Sequence, residues 1–196
     1  MSSLIDMIGG AILFGVLILA VGRLQGNLNT TLYQKTFNLT TQAEAISLAR
    51  QIEYEVEKAG YGVTGSKVSV ADSVRFAFVG AMTYGGPVDS IAYFTGAADT
   101  STLNPDDFRF IRYARSSGTL SQRLVMTYFK ISYFDSTNTL MATPVTGAGL
   151  NAIRGVNIKF RVESPEPVTD AATGESSYNA VTWEKLIYPR NLGKPF

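Results

Sequence analysis

The stretch SSLIDMIGGAILFGVLILAVGRLQG, Ser2 to Gly26, decides how the rest of the chain must be read. No residue between Met7 and Gly22 carries a formal charge, and before Arg23 only Asp6 is ionisable. A membrane span needs about 20 mostly apolar residues, so this segment is long enough to cross a bilayer as a helix. A secretory signal peptide would start with basic residues and end in a small-x-small cleavage site. Here no Lys or Arg precedes Arg23, and the helical pattern continues well beyond the apolar part. A carboxylate at the edge of an apolar helix is costly unless something neutralises it. Asp6 therefore needs a partner.

Working outward, Ala45, Leu48, Ala49, Ile52, Val56 and Ala59 recur at steps of three and four and form an apolar stripe on a helix. Glu44, Arg50, Glu53, Glu55, Glu57 and Lys58 are expected mostly on the other faces. No proline occurs before Pro87, and AGYG at Ala59–Gly62 supplies a glycine stop. The pattern predicts one helix from about Ser2 to about Ala59, with any loosening confined to about Leu19–Asn29, where Gly22 and Gly26 lie. At 1.5 Å per residue such a helix is about 85 Å long, more than a single globule of this size can use.

After Gly62 the apolar period changes to two. Strands are predicted at Lys67–Ala71, Val74–Val79, Ser90–Thr95, Phe108–Ala114, Arg123–Phe134, Thr139–Thr143, Gly155–Ser164 and Ala180–Pro189. The connectors carry turn chemistry: YGGP at Tyr84–Pro87, LNPDD at Leu103–Asp107, DSTN at Asp135–Asn138 and TGAG at Thr146–Gly149. Short turns between neighbouring strands imply an antiparallel sheet. The expected fold class is α+β: a long N-terminal helix packed by its second half on an antiparallel β-sheet domain. Residues 1–28 are read as the hydrophobic assembly or membrane helix, 29–60 as its amphipathic continuation, and 61–196 as a β-rich globular domain. Leu48, Ile52 and Val56 are expected to pack helix against sheet.

Composition narrows the chemistry. The 196 residues suit one domain with an appendage, and the net charge is +1 with no basic block, which argues against nucleic acid as a partner. Cysteine and histidine are both absent. That removes disulfides, thiolate chemistry, the commonest general base and the commonest metal ligand. No glycine-rich phosphate loop follows a strand, and no nucleophile has a base beside it, so neither an enzyme nor a cofactor is expected. Asp106 and Asp107 read as a solvated turn rather than a calcium loop. Tyr84, Tyr93, Tyr113, Tyr128 and Tyr133 read as sheet residues. The sequons at Asn29 and Asn38 fall on the predicted helix.

Three stretches carry a family resemblance: SSLID at Ser2–Asp6; LARQIEYEVEKAGYG at Leu48–Gly62; and YFKISYFDSTNTLMATPVTGAGLNAIRGVNIKFRV with the later KLIYPRNL at Lys185–Leu192. In this order they resemble the type IV pilin and pseudopilin superfamily, the second and third stretches being similar to minor pilins of the PilW type and J-type pseudopilins. Departures are plain as well. Only Met1 stands before Ser2 where pilin precursors carry a short basic leader, the acidic position holds Asp6 instead of Glu, and the mid-helix proline is missing.

The resemblance implies a structural subunit that polymerises through its N-terminal helix into an extracellular filament. Its partners would be copies of itself, the inner membrane before assembly, and the pilus or secretion assembly machinery. Ser2, Asp6, Gly9, Gly10, Leu13, Phe14 and Leu17 are the implied assembly residues, with Asp6 meeting the N-terminal amine of a neighbouring subunit. A charge buried alone costs several kcal/mol, so such a pair acts as a register device. The alternative for Asp6 is capping of its own helix N-terminus. Two other functions fit the same pattern: a minor pilin or pseudopilin of a tip or secretion complex, and a non-polymerising binding domain on a single-pass membrane anchor.

Overall fold

The computed structural model describes residues 2–169 and 174–193, with side chains for all of these except Ser2, Thr30, Phe37 and residues 119–124. Helix α1 runs from Ser2 to Glu57 without a break. Gly22 and Gly26 stay helical, as the absence of proline allows. The chain divides into two compact units, one up to Thr40 and one from Thr41.

The first unit is helix alone. Every side chain described from Ser3 to Tyr33 is exposed. The second unit contains the last turns of α1 and an antiparallel β-domain. A five-stranded sheet has the order β1 (Val68–Ala71), β2 (Arg75–Ala81), β3 (Val88–Ala98), β4 (Phe108–Ala114), β5 (Gly118–Met126). A four-stranded sheet has the order β11-β8-β6-β7, with β6 at Tyr128–Phe134, β7 at Leu140–Met141, β8 at Gly155–Glu163 and β11 at Ala180–Ile187. A small hairpin, β9 (Val168–Thr169) with β10 (Ser176–Ser177), completes the set.

One predicted strand is corrected. Arg123–Phe134 is two strands, β5 and β6, which belong to different sheets and meet at Thr127. The reason is a phase slip: Met126 is buried, and the next inward residues are Phe129, Ile131 and Tyr133, so the period of two breaks across Thr127–Tyr128. The Thr127 N–H donates to the Arg161 carbonyl (3.0 Å), fixing the joint beside β8. The TGAG connector opens a 3-10 turn over Gly147–Ala152. The DSTN turn closes on Asp135, whose Oδ1 accepts from Thr137 N and Thr139 N at 2.8 and 2.9 Å.

A single core lies between the sheets and the second part of α1. Phe76 and Phe110 of the first sheet meet Tyr133 and Phe129 of the second with ring centroids 5.7 and 5.1 Å apart. Leu48, Ile52 and Val56 are 2%, 0% and 0% exposed and belong to this core, as do Ala45, Ala49 and Ala59. Burying each of the three larger side chains is worth about 1.5–3 kcal/mol.

Because the buried residues of α1 begin at Ala45 among the described residues, a chain lacking residues 1–28 should be soluble, folded and monomeric. Circular dichroism and sedimentation check this. An aggregated or unfolded product would place part of the first half of α1 in the domain's own core.

Candidate functional site

The surface of α1 before Thr40 is unlike that of a soluble protein. Its most apolar 18-residue window has a mean hydropathy of 2.5, and none of it is buried. Leu13, Phe14 and Leu17 are 73%, 65% and 61% exposed. Apolar surface of this extent is covered by lipid or by protein in any stable state. By length and composition this helix can cross a membrane.

Gly9, Gly10 and Gly15 carry a further signal. A Cβ built on any of them would meet nothing within 4 Å. Each glycine in a helix interior costs about 1 kcal/mol relative to alanine, and nothing in this chain benefits from the missing methyl. Small residues of this kind let a second backbone approach closely. Asp6 lies in the same segment, exposed, with no hydrogen-bond or ion-pair partner among the described residues. Ser2 is the first helical residue, and its side chain lies outside the described set.

In the second unit, sequence patterning missed the residue that anchors the helix. Glu55 was expected off the apolar stripe, yet it is 6% exposed and points into the domain. Its carboxylate accepts from Arg112 Nε at 3.0 and 2.9 Å and pairs with Arg112 Nη2 at 2.8 Å. The Tyr93 hydroxyl donates to Oε2, and Gln51 Nε2 donates to Oε1 at 3.1 Å. Tyr93 and Arg112 are direct cross-strand partners on β3 and β4, so one carboxylate locks two neighbouring strands to the helix. Burial pushes the Tyr93 hydroxyl well above its usual pKa, and the adjacent Glu55 charge pushes it further. For Arg112, burial favours the neutral form, but the Glu55 hydrogen bonds and charge outweigh it and hold the guanidinium more firmly protonated.

The signal was present in the sequence. Glu55 falls three residues after Ile52 and one before Val56, inside the stripe. Arg112 alternates inward with Phe110 and Ala114. An acid and a base, each at an inward position, are complementary.

Two polar readings change. Asp106 is exposed, but Asp107 is 2% exposed, so the LNPDD segment is not simply a solvated turn. Neither Asp107 carboxylate oxygen has a hydrogen-bond partner among the described residues. Burial raises its pKa. The nearby Thr102 hydroxyl offsets part of that rise, and the charges of Glu163, Asp99 and Asp106 add to it. Among the tyrosines, Tyr93 and Tyr133 are fully buried sheet residues, whereas Tyr84 lies outside the strands and is 95% exposed. The described residues include no group of three Asp, Glu, His or Cys side chains placed to hold a metal ion. No known protein family, curated protein or solved structure matches the chain.

Glu55→Ala should lower unfolding stability by about 3–5 kcal/mol, because it leaves the Arg112 guanidinium buried and unpaired. Glu55→Leu combined with Arg112→Met should cost much less than the two single changes summed. Denaturant titration of the unmodified chain, Glu55→Ala, the two single variants and the double variant checks both.

Asp107 gives a pH signature. A carboxyl whose folded pKa is raised destabilises the fold once ionised, so its penalty is absent below about pH 4 and appears as pH climbs through the raised value. Asp107→Asn should therefore raise Tm at pH 7, with a gain that shrinks toward zero below about pH 4.

Proposed function

We propose that this chain is a structural subunit of a type IV pilus-like extracellular filament. It polymerises through α1 and displays the β-domain. The observation that carries the reading is the apolar, glycine-bearing run of α1, with Asp6 inside it lacking a partner among the described residues. A passive membrane anchor accounts for the apolar surface alone. It gives no reason for three glycines that relieve no contact in their own chain, and it leaves a carboxylate at the edge of the lipid.

Packing of α1 against other copies explains all three features. The bundle covers the apolar surface, the glycines admit close backbones, and Asp6 gains the N-terminal amine of a neighbour. Before assembly the same helix lies in the inner membrane, where an assembly machinery extracts it. Afterwards the subunit is part of a cell-surface fibre. The likeness of Leu48–Gly62 and Lys185–Leu192 to minor pilins and pseudopilins favours a second form of the reading, in which the subunit belongs to a tip or priming complex. Abundance separates the two, since a shaft subunit dominates sheared surface fibres.

Asp6→Ala should abolish or sharply reduce filament assembly while leaving the β-domain folded, because Asp6 touches nothing described in its own chain. Electron microscopy of sheared fibres, with circular dichroism of the purified chain, reads both parts. Normal fibre yield would sink the pairing and leave Asp6 as a helix cap. Absence of fibres from the unmodified chain would favour a membrane-anchored domain that never polymerises.

A further inference from the structure

A polar pocket of about 370 Å³ opens beside the end of α1, lined by Glu57, Lys58, Tyr61, Tyr188, Arg190 and Asn191. Lys58 Nζ sits 5.5 Å from the Tyr54 ring centroid and 5.2 Å from that of Tyr61. Neither Lys58 nor Arg190 forms an ion pair with a described carboxylate. Two cations against Glu57 leave the pocket with a net charge of +1, suited to one incoming carboxylate. Tyr61 and Tyr188 add aromatic rings to its lining, a surface type against which prolines pack well.

The same chain presents a matching group elsewhere. In the stretch Ser164–Pro167, SPEP, Glu166 stands between two prolines, and Glu166 and Pro167 are both exposed. The Glu166 carboxylate makes no ion pair among the described residues. Its backbone is held: Leu103 N donates to the Pro165 carbonyl at 3.0 Å, and Ser164 Oγ donates to the Glu166 carbonyl at 2.8 Å. Proline restricts φ on both sides, so this knob loses little conformational freedom on docking. From Glu166 to Ser177 the chain carries Glu166, Asp170 and Glu175 and no base, so this stretch of sequence is acidic.

We propose that the Glu166–Pro167 knob of one copy seats in the Lys58–Arg190 pocket of the next copy. This rests on the filament reading and specifies a contact between displayed domains. In a helical polymer the knob and pocket of successive copies meet head to tail, whereas the same pair made reciprocally by two copies would close a two-fold dimer, so a covalent dimer with no higher multimer overturns the contact along the fibre. Single contacts of this size are weak, and a polymer held by its helices makes them effective through high local concentration.

The test uses the full chain, whose lack of native cysteine keeps the readout clean. Glu166→Cys and Arg190→Cys together, oxidised on cells, should give a covalent ladder of multimers, while Glu166→Cys with Tyr84→Cys should not. Fibres that form without the ladder assign the pocket to another occupant and overturn the contact. A ladder without fibres upholds the contact and overturns the filament. Absence of both overturns both. In parallel, Glu166→Lys should cut fibre yield several-fold, and adding Lys58→Glu with Arg190→Glu should restore it. Yield unaffected by Glu166→Lys, or no recovery in the combined variant, counts against the contact.

Discussion

The fold of the second unit depends on one buried carboxylate. Glu55 is the place where α1, β3 and β4 are held together by directional bonds, because Arg112 supplies a charged fork and Tyr93 a hydroxyl to the same two oxygens. Apolar contacts around Ile52 and Val56 supply more free energy, but they are non-directional and tolerate sliding or rotation of the helix. The Glu55 site does not. A helix shifted by one residue would leave Arg112 buried without its partner, a state costing several kcal/mol. Buried ion pairs are weak sources of stability and good sources of register, and this one sits where register matters.

Around that point the two sheets behave as one body. The chain crosses from β5 to β6 at Thr127 without a loop, so the five-stranded sheet is covalently stitched to the four-stranded one at the edge of their shared core. Aromatic contacts reinforce the seam, with Phe76 on Tyr133 and Phe110 on Phe129. The Tyr133 hydroxyl also donates to the Asp72 carbonyl at 2.9 Å, so a core ring of the second sheet closes the turn that leads into β2. Gly80 permits a close approach of the chain at the end of α1: a Cβ there would lie 2.3 Å from the Lys58 carbonyl oxygen.

Much of this was legible in the residues. The unbroken α1 followed from the missing proline, the switch from period 3.6 to period 2 after Gly62 located the β-domain, and Phe108–Ala114 matches β4 residue for residue. Three features were hidden for identifiable reasons. The joint at Thr127 was masked because both sides of the phase slip are apolar and β-prone, so the run looks continuous. Glu55 reads as lying off the apolar stripe because a charge there is taken as solvated unless its counter-charge, here Arg112 57 residues away, is paired with it. Asp107 sits in a turn composition that normally faces water, and only the packed structure shows that it does not. The surface of the first unit is the opposite case, since its apolar character and its glycines are explicit in the sequence while what covers them lies outside the chain.

The way the end of α1 is tied into the β-domain also sets how that domain carries mechanical load. The Gly60 N–H donates to the Val79 carbonyl and the Ala81 N–H to the Tyr61 carbonyl, both at 2.8 Å, and the Tyr54 hydroxyl donates to the Met82 carbonyl at 2.7 Å. These bonds all reach β2 or the residue just after it, while Glu55 reaches β3 and β4. Tension applied through the helix is thus divided among three adjacent strands, two of them by way of a charged clamp, and no single hydrogen bond takes it first. A domain fastened in this manner transmits a pull as a rigid handle instead of unravelling from its helical end.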